Sequence, residues 1–287
     1  MKLKCKIFDL DQSLSCGQVF RWIHGNEQWW YGVINNHIVK ISQNDNELEF
    51  YISPKISDPK QFILNYFRLE DDLELIYQQI SKDIHMKKAI RCAYGLHIIR
   101  QNPWECMISY IISQQNQIPK IKRSLEILSQ KFGTCYSFEG KKFYTFPTPE
   151  QLSKAKLSEL QKGFDHGGCA LGYRSKYVLS STLLIHNKSL SFSLEDLKYI
   201  PYEDANKLLQ DSFCGIGPKV ADCILLFSLD KLEAFPLDTW IRKIILKLYL
   251  KKKDNDKKIR EFCSDYFGKF AGYAQEYLYS NRLKFSP

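Results

Sequence analysis

The first third of the chain alternates apolar and polar side chains. Trp29-Trp30-Tyr31-Gly32-Val33-Ile34 is rich in strand formers, and Asn35-Asn36 follows as a turn. His37-Ile38-Val39-Lys40-Ile41 alternates, and Glu47-Leu48-Glu49-Phe50-Tyr51-Ile52 does so again. A period of two sends one face of each segment into a core, so these runs, joined by Asn/Asp/Gln-rich turns, predict a three-stranded antiparallel meander. A helical stretch from Asp71 to Ile80 closes the region.

From about residue 96 the period becomes helical. Pro103 suits a first helical position, and Trp104 to Ser113 carries apolar residues at helical spacing. Ile118–Phe132 continues as a second helix, and Thr148-Pro149-Glu150-Gln151 reads as an N-cap with a first-turn proline. Further helical patterns cover Arg174–Ile185, Tyr202–Asp211, Pro218–Ser228, Trp240–Leu250, Ile259–Phe267 and Tyr273–Ser280. The expected fold class is α+β: a small antiparallel sheet domain over residues 1–95, then an all-helical domain over 96–287. No internal repeat interrupts this plan.

A length of 287 residues suits about two domains. With 44% hydrophobic and 25% charged residues, the chain is neither disordered nor low-complexity. Uncharged apolar runs such as Cys223–Leu229 are far shorter than the ~20 residues of a membrane span. Residues 1–20 mix Lys2, Lys4 and Lys6 with Asp9 and Asp11 and lack a secretory pattern. A cytoplasmic protein is expected, associated with the nucleoid in a bacterium or nuclear in a eukaryote. None of the nine cysteines forms a C-x-x-C pair, and only Cys263 lies in the last 60 residues. That pattern predicts reduced thiols and argues against a cysteine-held zinc or iron–sulfur cluster.

The formal charge is +9. Between Arg242 and Lys284 stand 12 basic and 5 acidic residues, so most of the excess falls in the C-terminal quarter. Such a concentration suits a phosphate-facing surface; the competing reading is that Lys251-Lys252-Lys253 and Lys257-Lys258 form a solvated loop.

The sharpest local signal is Phe213-Cys214-Gly215-Ile216-Gly217-Pro218-Lys219-Val220-Ala221-Asp222. It joins two helical patterns, giving a helix-hairpin-helix over about residues 203–228. Gly215 and Gly217 permit backbone conformations that other residues avoid, Ile216 would anchor the turn, and Pro218 fits the first helical position. The turn aims backbone N–H groups outward at a helix N-terminus, a ready phosphate site. A tight turn with no ligand is the alternative. Lys219 is unexpected in a first helical turn, where the dipole disfavours a cation. The same positive end, with partial burial, favours the neutral and nucleophilic amine. A lysine that merely contacts phosphate is the other reading. Cys223 and Phe227 share its helix face. Asp238, in Pro236-Leu237-Asp238-Thr239-Trp240, reads first as an N-cap, and a carboxylate held by helix N–H groups stays ionised and can stabilise a cationic transition state.

At these residues the chain resembles the 8-oxoguanine DNA glycosylase/AP lyases of the helix-hairpin-helix glycosylase superfamily. The likeness also runs through Ser15-Cys16-Gly17-Gln18-Val19-Phe20-Arg21-Trp22, Asn102-Pro103-Trp104-Glu105-Cys106, Ser113-Gln114-Gln115-Asn116-Gln117-Ile118, Leu171-Gly172-Tyr173-Arg174-Ser175-Lys176-Tyr177 and Ala274-Gln275-Glu276-Tyr277-Leu278-Tyr279-Ser280. The resemblance implies that Lys219 is the nucleophile and Asp238 its catalytic carboxylate. It implies that the backbone carbonyl of Gly17 reads the N7 proton of the lesion, that Gln275 reads the Watson–Crick edge, and that Tyr279 and Cys223 sandwich the base. The family's usual residue at Tyr279 is phenylalanine.

On the DNA side, the resemblance makes Tyr173 a wedge, Gln115 the filler of the vacated space, and Arg174 a reader of the orphaned cytosine. Lys120 stands at a position where cytosine-strict members carry arginine, and Trp240 where histidine is common. Gly215 and Gly217 would bind a phosphate; whether a monovalent cation joins them stays open. The implied partner is duplex DNA containing 8-oxoguanine, bound by a monomer, with neither metal nor organic cofactor. Three rivals remain. An alkylated-base glycosylase lacks a lysine at this position, an endonuclease-III-like lyase would need cluster cysteines, and a non-catalytic DNA-binding module has no use for Lys219 with Asp238.

Overall fold

The computed structural model describes residues 1–25, 28–252 and 254–285. The three expected strands form as β3 (Trp30–Ile34), β4 (His37–Asn44) and β5 (Glu47–Ser53). Two short edge strands, β1 (Lys2–Lys4) and β2 (Ile23–His24), complete an antiparallel sheet of order β1-β5-β4-β3-β2. Val39, Ile41, Leu48 and Phe50 are fully buried from its inner face. A separate hairpin, β6 (Cys135–Phe138) with β7 (Lys141–Tyr144), follows the Ile118–Phe132 helix. The edge strands are too short for a period of two to register, and the hairpin escapes for the same reason.

Helices at Leu10–Ser15, Pro59–Phe67 and Ile84–Cys92 add to the expected set. Each has an aspartate cap, Asp9, Asp58 and Asp83, whose side chain accepts from a first-turn N–H. Thr148 and Gln151 form a full capping box. The helix after Asp238 departs from expectation: it is α-helical over Thr239–Ile245 and closes with a π-helical stretch, Leu246–Leu250.

Two hydrophobic clusters hold the molecule. One joins the sheet to Phe8, Leu10, Leu14 and the Pro59–Phe67 helix. The larger gathers the remaining helices, and it takes in Leu73, Ile76, Ile80, Met86, Ala89 and Ile90. Helices Leu73–Ile80 and Ile84–Cys92 therefore pack against the C-terminal Ala271–Ser280 helix, with the Tyr77 hydroxyl 2.8 Å from that of Tyr277. Packing thus ties residues on the N-terminal side of 95 to the far end of the chain. Among the described residues no helix is long and apolar enough to cross a membrane.

Candidate active site

The hairpin runs from the Tyr202–Ser212 helix through a short turn into Pro218–Ser228. Phe213 and Ile216 are buried and seat the turn in the core. Gly215 has a φ of +83°, and a Cβ there would collide with the Tyr177 ring, so glycine is required twice over. Gly217 differs from expectation. Its backbone is extended, with φ −99° and ψ −178°, and a Cβ there would meet open space.

Pro218–Ser228 is buried along most of its length and presents Lys219, Cys223 and Phe227 to a cavity of about 570 Å³. Lys219 Nζ lies 5.1 Å from the centroid of the Tyr110 ring, which stacks on Phe227 with centroids 5.5 Å apart. The Tyr110 hydroxyl donates to the Gln18 carbonyl at 3.1 Å. Gln18 is itself buried: its Nε2 donates to the Ser13 and His97 carbonyls, and its Oε1 accepts from the Ile99 N–H. One chain of contacts thus connects the amine of Lys219 to the loop bearing Gly17.

Gly17 has a φ of +114°, and a Cβ on it would sit 3.4 Å from Cε1 of Tyr279. The Tyr279 ring therefore closes over the bare backbone of Gly17. The Arg282 guanidinium lies 4.2 Å from the same ring's centroid. Burial pushes the Tyr279 hydroxyl up to about 12, against the pull of Arg282. The Cys223 thiol is likewise pushed up to about 12 by burial, against the Lys219 charge, so it stands as a neutral, polarisable surface. Gln275 is 4% exposed and its Oε1 has no partner. An unpaired buried acceptor is costly, and one at a cavity wall is suited to a ligand donor.

Asp238 caps its helix by accepting from the Ile241 N–H at 2.7 Å. The expected effect of that cap is outweighed: burial pushes the carboxyl above its ordinary value, while the Ile241 and Trp240 N–H groups, Lys219 and Arg282 pull it back.

Gly17, Gln115, Gly217, Lys219, Cys223, Asp238, Trp240, Gln275 and Tyr279 all line the one cavity. Lys120, Tyr173, Arg174 and Gly215 stand outside it. Lys120 and Tyr173 are exposed. Arg174 is buried and engaged: Nε and Nη2 donate to the Gln114 carbonyl, Nη2 also to Gln115, and Nη1 to Leu171. The guanidinium expected to read a base is here holding a loop. Gln115, with a φ of +46°, sits in that loop in a left-handed conformation unusual for glutamine. Gln114 ties the same loop to the hairpin through a 2.9 Å bond from Nε2 to the Gly215 carbonyl.

Sequence reasoning assigned no role to Tyr110, Gln18 and Glu276. Gln18 and Glu276 stand inside motifs that carry the resemblance, which was the available signal; Tyr110 was hidden in an apolar run. The C-terminal basic excess is partly neutralised locally, through Arg242–Asp256, Lys258–Asp254, Lys257–Glu261 and the pairing of half-buried Arg260 with buried Asp222. Lys253 lies outside the described residues. Among the described residues no cluster of three or more His, Cys, Asp or Glu is placed to hold a metal ion.

Two family models cover most of the chain. The 8-oxoguanine DNA glycosylase N-terminal domain matches residues 1–107, and the HhH-GPD superfamily base excision DNA repair protein matches residues 108–269. The chain belongs to the HhH-GPD superfamily. Among HhH-GPD relatives it is 31% identical to the Methanothermobacter thermautotrophicus protein named probable N-glycosylase/DNA lyase, over 75% of this chain and 72% of that one. It is 28% identical to N-glycosylase/DNA lyase OGG1 of Arabidopsis thaliana, over 99% of this chain and 80% of that one. The solved Clostridium acetobutylicum 8-oxoguanine glycosylase/lyase, in complex with duplex DNA containing cytosine opposite 8-oxoguanine, superposes with a TM-score of 0.88 at 32% identity. It covers 99% of this chain and 98% of that one. The HhH-GPD hairpin, its lysine and the capping aspartate therefore sit in a chain that follows such enzymes from end to end.

Proposed function

We propose that this chain is a bifunctional base-excision-repair enzyme that removes 8-oxoguanine from duplex DNA and then cuts the strand as an AP lyase. The observation that carries this reading is the convergence of Lys219, Asp238 and Gln275 on one cavity beside the hairpin. A base inside a duplex is out of reach, so the lesion is flipped into that cavity. Tyr279 and Cys223 take its faces, the Gly17 carbonyl accepts from N7–H, and the unpaired Gln275 Oε1 accepts from the Watson–Crick edge.

The C1′–N9 bond breaks with its electron pair leaving on the purine, and the Asp238 carboxylate stabilises the cationic sugar. The Lys219 amine forms the new bond to C1′, and loss of its protons with opening of the sugar ring gives an imine. The imine acidifies C2′–H; loss of that proton expels the 3′ phosphate by β-elimination. Gly215 and Gly217 face the DNA backbone, and the enzyme works as a monomer wherever the genome lies, in a nucleoid or a nucleus.

Borohydride reduction of the imine on an 8-oxoguanine duplex tests this directly. Wild type is expected to leave a covalent adduct, and Lys219→Gln to leave none while retaining lesion-duplex affinity. Adduct formation by Lys219→Gln at the wild-type rate overturns the assignment.

A further inference from the structure

Glu276 lies on the Ala271–Ser280 helix between Gln275 and Tyr279 and lines the same cavity. It is 1% exposed, and its Oε1 has no hydrogen-bond partner. Charged and titratable groups of several surrounding elements act on it. Cys16 comes from the loop beside Gly17, Asp238 from the cap of the Thr239–Ile245 helix, and Arg282 from the C-terminal Arg282–Phe285 turn. Tyr110, from the Pro103–Ser113 helix, and Tyr279, on its own helix, also feel its charge. Arg282 is the one cation in this set, and its guanidinium is already over the Tyr279 ring and donating to the Tyr279 carbonyl. Nothing in the mechanism above uses Glu276.

A carboxyl so placed bears on one step in particular. When the C1′–N9 bond breaks, the electron pair moves onto the purine, and negative charge grows inside the cavity. Asp238 stands with the sugar, whereas Glu276 stands with the groups given to the base, next to Gln275 and among Tyr279 and the Gly17 loop, so a negative charge on it raises that barrier and a neutral carboxyl does not. We propose that Glu276 tunes base departure through its own charge, permitting it when neutral and opposing it when ionised. This rests on the glycosylase reading above.

The proton balance at Glu276 places the change within reach of ordinary conditions. Burial pushes its carboxyl up to about 7; contact with Cys16 and the charge of Arg282 limit the rise, and the Asp238 charge adds to it. Glu276 is therefore neutral on the acid side of that value and ionised above it. The lyase step on an abasic site has no base to expel and escapes the effect.

Single-turnover excision of 8-oxoguanine between pH 5.5 and 8.5 tests the proposal in wild type, Glu276→Gln and Glu276→Ala, with strand cleavage of a preformed abasic duplex in parallel. Either variant removes the charge, so a folding failure in one leaves the other. The expected ratio for base excision rises roughly tenfold as pH passes 7, the size of a like charge several ångströms away in a partly screened site. The same ratio for abasic cleavage is expected to show no step. Superimposable excision profiles, or an equal step in both reactions, overturn this proposal alone. Absence of excision by wild type at every pH overturns the glycosylase reading and this proposal with it.

Discussion

Arg174 donates from Nη2 to the carbonyl of Gln115 at 2.9 Å. That bond, with those to Gln114, holds a glutamine in a left-handed conformation in the wall of the cavity that contains Lys219. Residues kept in such conformations persist because their surroundings fix them, and they gather at functional sites.

The arrangement predicts how the enzyme treats the base opposite the lesion. A guanidinium committed to three backbone carbonyls has no free planar fork for cytosine, and Lys120 is an exposed point charge on a flexible stem. A missing bidentate base contact forfeits about 1–3 kcal/mol of discrimination. Excision opposite adenine is therefore expected within about a hundredfold of excision opposite cytosine, with Lys120→Arg sharpening the preference. Arg174→Ala is expected to slow excision opposite all four bases alike, because it releases the Gln115 loop. Single-turnover rates opposite each base decide; a loss confined to cytosine returns Arg174 to the role of base reader.

The cap that Asp238 provides and the catalytic role proposed for it can be separated by substitution. Asparagine caps a helix about as well as aspartate, so Asp238→Asn retains the bond to the Ile241 N–H while losing the charge. Base excision should fall by about a hundredfold or more. The thermal midpoint at pH 7 should not fall: a carboxyl raised on folding contributes stability at low pH and loses it as pH rises through the raised value. For the same reason the acid limb of wild-type excision should lie above the ordinary aspartate value near 4, roughly. A mutant that loses stability and keeps its rate would reduce Asp238 to a cap.

The parts of this molecule that were legible in the sequence are those where a local signal needs no knowledge of the neighbours. The meander was readable because burial of one face alternates along its strands, and Pro103–Ser113 and Pro218–Ser228, buried almost all round, were readable from a first-turn proline followed by a long apolar run. The hairpin was readable from Gly215, whose positive φ only glycine accepts comfortably. Arg174 shows the limit. Its residue type fits a base reader, but its orientation depends on where Gln114 and Gln115 lie, some 60 positions away in the chain. Glu276, although inside a motif that carries the resemblance, drew no role for a related reason: a glutamate inside a helical pattern reads as a solvated position until the elements packed round it are known.

Asp222, buried beneath the hairpin's second helix, accepts from the Tyr202 hydroxyl at 2.6 Å and from Asn206 Nδ2 at 2.8 Å, and pairs with Arg260. It fastens the helix bearing Lys219 to the Tyr202–Ser212 and Asp256–Phe267 helices. Removing the cation leaves a buried carboxylate uncompensated, so Arg260→Met should cost about 3–5 kcal/mol. Denaturant unfolding measures it, and a change under 1 kcal/mol, roughly the worth of an exposed pair, would show that water already screens Asp222.

The two hairpin glycines should respond oppositely to the same change. Gly215→Ala places a methyl group against the Tyr177 ring at a φ of +83°, so the turn itself must shift and thermal stability should drop. Gly217→Ala meets open space on an extended backbone, so the fold should be untouched. If that open face is where a DNA phosphate approaches the N-terminus of Pro218–Ser228, the methyl group will keep it away and affinity for any duplex, lesion or not, should weaken severalfold. Each phosphate contact contributes about 0.9 to the slope of log affinity against log salt, so Gly217→Ala should also flatten that slope by roughly one. Titrations at several salt concentrations, set beside melting curves, separate the two glycines. Unchanged affinity and slope in Gly217→Ala would leave the hairpin as a turn alone, with the duplex held elsewhere.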